Sequence, residues 1–321
     1  MPTRRAVVSG LAASVLPGLA RAQANRGTVT LIVPFAPGGS TDAIARIVAE
    51  AMRGPLGQTV IVENRGGAGG SLGTAAIAHA APDGLTIGMG TASTLAINPA
   101  AYVKLPYDVL VDLAPIGAIA EVPNIMSINP AVPAKDMQSF IALAKEKPDG
   151  FSYGSSGNGS VSHLMGEQFK LATGTKLIHV PYRGVGPALA DTVGGQIQVM
   201  FDNLPTSLAL VQDGKLRALA VSAPQRLAVL PAVPTFAELN LAELNWSAFF
   251  GLVAPAHTPQ PVVARFNAAL NDALMQAPVR DLLSAQQAMV TPGTPAQFSA
   301  VVRREISRMQ RATQAANIRI E

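Results

Sequence analysis

A chain of 321 residues is long enough for two domains that share an interface. With 49% hydrophobic and 14% charged residues and no low-complexity run, it is globular, neither disordered nor fibrous. The formal charge of +4 comes without a Lys/Arg cluster, which argues against nucleic acid, and the absence of cysteine excludes disulfides, thiolate metal sites and a lipid-modified cysteine anchor.

The first segment stands apart. Arg4-Arg5, an apolar stretch over 6–20 and the small-x-small pattern Ala20-Arg21-Ala22 predict a secretory signal peptide over residues 1–22. Gly10 and Pro17 interrupt the stretch, and it is too short to span a bilayer comfortably. The paired arginines allow a twin-arginine route, and a Sec route is equally open. The segment holds three of the 24 basic residues and no acid, so the remainder carries 21 basic against 20 acidic residues, a net of +1.

Strand and helix patterns then alternate. A β-branched run at 29–33 precedes a helix over 42–52, with Ile44, Ile47, Val48 and Ala51 at i, i+3, i+4 and i+7. A strand at 59–62, a helix over 71–80 closed by Pro82-Asp83-Gly84, and a strand at 85–89 complete a β-α-β-α-β series. That pattern predicts an α/β fold with a doubly wound, mostly parallel sheet. Residues 115–129 are apolar and extended, and the first crossing between lobes falls near 121–124. A second series follows: helix 136–147, strand 151–155, helix 160–172, strand 177–180, helix 187–193, strand 197–201, helix 206–212 and strand 216–221. An extended run at 246–253 is the return crossing, and helices over 261–275, 278–287 and 294–316 form a pure-helix tail over the first sheet. Lobe one is then 25–122 plus 248–321 and lobe two 123–247, with two crossings that make a hinge and a ligand cleft between the lobes.

Two segments read as the same device, a strand followed by a tight Gly/Ser turn and a helix. The first carries Phe35, Ala36, Gly38, Gly39, Ser40 and Thr41, and the second Gly154, Ser155, Ser156, Gly157, Asn158, Gly159 and Ser160. Such turns aim main-chain N–H groups and the positive end of a helix dipole at whatever sits above them. Two of them in a two-lobed chain suggest a clamp for a small molecule with a negative group at each end. The plainer reading of the first turn is an ordinary helix N-cap, with Asp42 paired to Arg46 at i+4. His163, about one turn into its helix, is either a structural histidine or a donor to a ligand carboxylate. His79, His179 and His257 are scattered without metal-ligand spacing.

Competing motifs are weaker. Gly69-Gly70-Ser71-Leu72-Gly73 and Gly150-Phe151-Ser152-Tyr153-Gly154 match G-x-S-x-G, but Ser152 falls in a strand and Ser71 after a glycine loop, not on a strand-to-helix elbow. Arg65-Gly66-Gly67-Ala68-Gly69-Gly70 fails the dinucleotide spacing because Leu72 stands where the third glycine belongs. There is no P-loop.

Taken together, the segments resemble the periplasmic solute receptors of tripartite tricarboxylate transporters, the Bug receptors. The resemblance rests on residues 34–42 with Ala45-Arg46, on Glu63-Asn64 through Gly70, and on residues 153–160 with His163-Leu164. Val180-Pro181-Tyr182-Arg183-Gly184, Pro187-Ala188 and Gly194-Gly195 through Phe201-Asp202 complete it. It implies a two-lobed, type II-like periplasmic binding protein fold that closes on a small carboxylate without a buried arginine. By the same analogy Thr94, Tyr182 and Asp202 belong to the cleft, Asp202 meeting a ligand amine or hydroxyl or holding its loop. The implied protein is a non-enzymatic, monomeric receptor without a cofactor, and it delivers its ligand to the membrane components of a tripartite transporter. Rival readings are a secreted serine hydrolase using Ser71 or Ser152, and a sensory co-receptor for the same ligand.

Overall fold

The computed structural model describes residues 27–321. The signal peptide expected over residues 1–22 lies outside the described residues.

Strand β1 (Val29–Val33) leads into helix α1 (Ser40–Leu56), where Ile44, Val48 and Met52 form the buried stripe that a 3.6-residue period demands. Gly57 closes α1 in the left-handed conformation at φ 64, its N–H returning to the carbonyls of Arg53 and Gly54. Next come β2 (Val60–Asn64), a 3-10 turn at Ala68–Gly70, α2 (Ser71–Ala78) and β3 (Thr86–Thr91). A π-helical turn at Ser93–Ile97 then runs into the short α3 (Asn98–Ala101), a stretch the sequence pattern left unassigned.

β4 (Leu113–Val122) and β5 (Asn124–Ile128) are separated only by Pro123, yet belong to different sheets. Proline has no N–H to give to a ladder, so the strand run breaks where the chain changes sheets. The second series is α4 (Met137–Glu146), β6 (Ser152–Ser155), α5 (Val161–Thr173) and β7 (Ile178–Pro181), then α6 (Val185–Val193), β8 (Val199–Asn203), α7 (Leu204–Gln212) and β9 (Arg217–Val221). The chain returns through the wholly buried β10 (Ala248–Pro255). α8 (Gln260–Met275), α9 (Ala277–Ala285), β11 (Met289–Val290) and α10 (Pro295–Ala315) follow, the last opened by a reciprocal Thr294–Gln297 capping box. The outgoing and returning crossings lie side by side, tied by Asn124 Nδ2 donating to the Trp246 carbonyl at 2.7 Å.

The first sheet has the order β11-β4-β10-β3-β1-β2 and the second β7-β6-β8-β5-β9. The α/β, two-lobed architecture is the expected one, but the pairing is mixed, not mostly parallel. β2-β1-β3 and β7-β6-β8 are parallel, whereas β10 is antiparallel to β3 and β4, and β5 to β8 and β9. Parallel neighbours need a crossover that brings the chain back to the same end. β4 leaves the first sheet for the second and β10 comes back, so the two run in opposite directions. β11 also corrects the expectation of a helix-only tail: its two residues pair with Ala120 and Glu121 at the sheet edge, too short a run to show a period.

α8 packs on α1 and β4, and α10 on β4 and the π-helical turn. Phe298 of α10 is 1% exposed, meets Phe249 of β10 edge-on at 6.2 Å and covers Gly251, where any Cβ would strike its ring. The second sheet is backed by an aromatic core in which Phe140 and Phe201 each contact Phe169, and Phe201 meets Tyr153 edge-on at 5.8 Å. Phe298→Ala is expected to lower unfolding free energy by about 3–5 kcal/mol, the usual cost of deleting a buried phenyl ring. Urea denaturation of wild type and variant measures it.

Candidate functional site

Four strand ends converge on one place. β1 and β3 are parallel neighbours in the first sheet, β6 and β8 in the second, and the turns after all four border a cavity of about 540 Å³ counted out to its mouth. Ligand clefts of open α/β sheets form at such carboxyl ends, because the helices that follow begin there with unsatisfied N–H groups. The first sheet contributes Phe35, Ala36, Gly39, Ser40 and Thr41, then Thr91, Ala92 and Ser93, with Ala248 and Phe250 from β10. The second contributes Ser156, Val161 and Ser162, then Asp202, Asn203 and Thr206, with Val185 at the start of α6. No Lys, Arg or His is among these lining residues.

The β1–α1 turn is built for close approach. Gly38 takes φ +89, a conformation that a side chain would strain, and Gly39 is the N-cap of α1 without any side-chain cap. The first-turn amides of α1 therefore have neither an intrahelical partner nor a capping side chain, and Ser40, Thr41 and Asp42 around them are buried. Asp42 forms its expected pair with Arg46, at 3.0 Å. Its carboxylate also accepts from Gly38 N at 3.1 Å and Asn64 Nδ2 at 2.9 Å. Burial raises the Asp42 carboxyl, but the bonds from Arg46, Asn64 and Gly38 outweigh it and leave the group below its ordinary value. This acid braces the turn and is not among the lining residues. Ser40 Oγ reaches across the cleft to Asn203 Oδ1 at 3.1 Å.

The second Gly/Ser turn spends most of its amides on itself. Ser156 N donates to Ser162 Oγ, Gly157 N to Ser155 Oγ and Gly159 N to His163 Nδ1, at 3.0, 3.2 and 3.2 Å. Val161 N donates at 3.0 Å to Ser93 Oγ on the opposite wall. The glycines serve contact between loops: a Cβ on Gly69 would overlap the Asn158 carbonyl, and one on Gly157 would stand 2.9 Å from Gly69 N. Tyr102 Oη closes the seam, donating toward the carbonyls of Ala68 at 2.9 Å and Asn158 at 3.1 Å.

Seven of the residues singled out from the sequence thus line the cavity: Phe35, Ala36, Gly39, Ser40, Thr41, Ser156 and Asp202. The others lie around it. Gly38 shapes the first turn, and Gly154 lies within β6 against Ile197 and Ala188. Thr94, expected by analogy at the cleft, is wholly buried, its Oγ1 accepting from Thr91 N at 3.1 Å. Ser155 Oγ lies 2.6 Å from His179 Nε2, and Gly159 packs on Asn98 and Tyr102. Ser160 caps α5, accepting from His163 N at 3.3 Å and donating to the Gly157 carbonyl at 2.6 Å. His163 stacks on His179 with ring centroids 4.2 Å apart, and Tyr182 Oη donates to Asp191 at 2.7 Å. Sequence reading missed Thr91 through Ser93, Val161, Ser162, Val185, Asn203, Thr206, Ala248 and Phe250. The signal available for Asn203 and Thr206 was a strand end followed by Asn203-Leu204-Pro205, a helix start with proline near its first position.

The two stacked histidines brace the second turn as neutral rings. His163 Nδ1 accepts from Gly159 N, so a proton there would set two donors against each other. Burial, then the neighbouring His163, pushes His179 down to about 4, and burial also lowers His163. A histidine with a folded-state pKa below its unfolded value binds its proton more readily once unfolded. Stability from these rings is therefore complete above about pH 6.5 and drains away as pH falls toward 4. Denaturation at pH 7, 6 and 5 is expected to show this loss, with a shallower slope in His179→Gln than in wild type.

The model of the family described as "Tripartite tricarboxylate transporter family receptor" matches residues 44–318. The chain is 38% identical over 281 residues to protein BugT of Bordetella pertussis, covering 87% of this chain and 86% of that one. Among solved structures it is similar to R. palustris Rpa4515 with adipate, at 33% identity and TM-score 0.88 over 92% of this chain and 99% of that one. It is likewise similar to MatC from Rhodopseudomonas palustris with bound malate, at 36% identity and TM-score 0.85 over 89% and 98%. With its two mixed sheets, its cleft at four strand ends and this family match over most of its length, the chain belongs to the Bug receptors of tripartite tricarboxylate transporters.

Proposed function

We propose that this solute-binding receptor captures a small carboxylate, a dicarboxylate or related organic acid, in the periplasm and hands it to the membrane components of a tripartite transporter. The observation that carries the reading is the uncapped start of α1 facing a cleft without a cationic side chain. Amides and hydroxyls in fixed positions suit an anion there, and the helix dipole adds to the attraction. Relatives with bound adipate and malate support the ligand class, both being dicarboxylates. Export rests on the signal read at 1–22. Among the described residues no helix is long and apolar enough to cross a membrane.

The working units are lobe one, 25–122 with 248–321, and lobe two, 123–247, rotating about the paired crossings beside Pro123 and Trp246. Closure brings Ser93 to Val161, Ser40 to Asn203 and Tyr102 to Asn158, and it strengthens every polar contact inside by excluding water. The receptor acts without chemistry of its own, as a single copy and without a cofactor. The contact nearest to a hydrolase arrangement, Ser155 with His179, involves a fully buried serine that also accepts from Gly157 N. A fluorophosphonate probe is expected to leave Ser71, Ser152 and Ser155 unlabelled, and labelling at any of them would favour the hydrolase.

A thermal-shift screen of mono-, di- and tricarboxylates on the purified protein tests the ligand class. Dicarboxylates are expected to raise the melting temperature in a concentration-dependent way. Response to none of them sinks the reading. Gly39→Val is expected to weaken the best-binding dicarboxylate by tenfold or more while the protein still unfolds cooperatively. Even a Cβ there stands 3.1 Å from Val185 Cγ1 across the cleft, and the extra methyls fill the space over the α1 amides. Isothermal titration calorimetry reads the loss.

A further inference from the structure

Asp202, next to last in β8, stands in the wall of the cleft and is 3% exposed. Its Oδ1 accepts from Ser207 Oγ at 3.1 Å, while Oδ2 is buried with no hydrogen-bond partner among the described residues. An ionised carboxylate in that position would be poorly solvated. An anionic guest arriving beside it would add like-charge repulsion.

The lining residues offer no cationic side chain to offset a negative charge. β5, β10 and α7 carry no titratable side chain. On β6 and α5, Tyr153, Glu167 and Lys170 are bonded to one another, with His163 and His179 stacked beside Tyr153. Asp191 of α6 is taken by Tyr182. On α1 across the cleft, the charge of Asp42 is met by Arg46, and Glu50 is paired with Arg53. Asn203 spends its amide on Asn124 Oδ1 at 2.8 Å and its carbonyl on Ser40, so it leaves Asp202 unaided.

On the reading that this cleft takes a small carboxylate, we propose that Asp202 stays protonated in the closed receptor and donates its O–H to a carboxylate oxygen of the guest. The guest is then an organic acid with no ammonium group at that wall. Burial pushes the Asp202 carboxyl well above its ordinary value, and the bond from Ser207 pulls only weakly the other way. A proton on Oδ2 turns the acceptor that lacked a partner into a donor, which is what a carboxylate oxygen requires. An ionised Asp202 would instead select a guest ammonium, and the cleft would then hold three carboxylates against one cation.

The test compares succinate, malate and aspartate, which differ only in H, OH or NH3+ on one carbon. Calorimetry is run on wild type, Asp202→Asn and Asp202→Ala. Succinate and malate are expected to bind, with aspartate weaker by about tenfold or more. Asp202→Asn, a neutral donor of the same shape, is expected to change succinate affinity by less than about threefold. Asp202→Ala loses the donor and is expected to cost about tenfold. In protein carrying 13C-labelled aspartate, the Asp202 Cγ resonance, identified by its loss in Asp202→Asn, is expected to report the protonated form at pH 7 with succinate bound.

An ionised Cγ in that complex overturns the proposal. So does tenfold weaker aspartate binding in Asp202→Asn with succinate unaffected, or unchanged succinate affinity in Asp202→Ala. If Asp202→Ala does not fold, the Cγ resonance and the Asp202→Asn titrations decide. Binding of none of the three acids by wild type, with no response in the wider carboxylate screen, removes the carboxylate reading itself and this proposal with it. Failure of the proton assignment alone appears as normal binding with an ionised Cγ.

Discussion

The cleft depends on a directional constraint. β1 and β3 in one sheet, and β6 and β8 in the other, all finish at the same gap, so the helices that follow start there. A helix start carries N–H groups that its own backbone cannot satisfy. With no Lys, Arg or His lining the gap, these dipoles and the surrounding hydroxyls are the compensation on offer to an anion. The rest of the molecule keeps those ends in register: the two sheets, the crossing strands tied at Asn124 and Trp246, and the helical tail braced by Phe298.

The two walls are unlike. The β1–α1 turn leaves its first amides uncapped and turns its one acid, Asp42, toward Arg46 and Asn64. The β6–α5 turn is folded on itself through Ser155, Ser160, Ser162 and His163, and it gives Val161 N to Ser93 of the opposite wall. Its glycines matter because Gly69 and Gly157 let two backbones approach to a distance that no Cβ would permit. The polar wall of the second sheet is supplied as much by Asp202, Asn203 and Thr206 at the β8–α7 turn. A clamp of two equivalent Gly/Ser turns therefore becomes one open turn, one sealing turn and a third turn bearing a buried carboxyl.

Much was legible in the amino-acid order alone. The 3.6-residue stripe of α1, the β-branched runs of β1 and β2, the proline between β4 and β5, and the capping residues of α4 and α10 are local signals, and the elements formed where those signals fall. Family membership was legible too, because its motifs are short contiguous runs such as 34–42 and 153–160. The first turn, with Gly38 and Gly39 ahead of an amphipathic helix, was readable as a helix start with bare backbone, and the structure leaves its first amides uncapped.

Other features needed three dimensions. Whether Thr94 or Ser93 faces the gap is decided by the π-helical turn, which buries Thr94 against Thr91 and turns Ser93 to Val161. That β10 runs antiparallel between β3 and β4 follows from the chain leaving and re-entering a sheet, which no local period encodes. The setting of Asp202 depends on Ser207 in the helix that follows and on lining elements as far away in sequence as Phe35, none of which supplies a cation. By itself the sequence determined most of the elements, their order and the kinship, since these are written in neighbouring residues, while the π-helical turn with α3 and the two-residue β11 escaped it. Only the tertiary structure decided which amides remain free and which carboxyl oxygen, Asp202 Oδ2, lacks a partner among the described residues, since burial and hydrogen-bond satisfaction are properties of space.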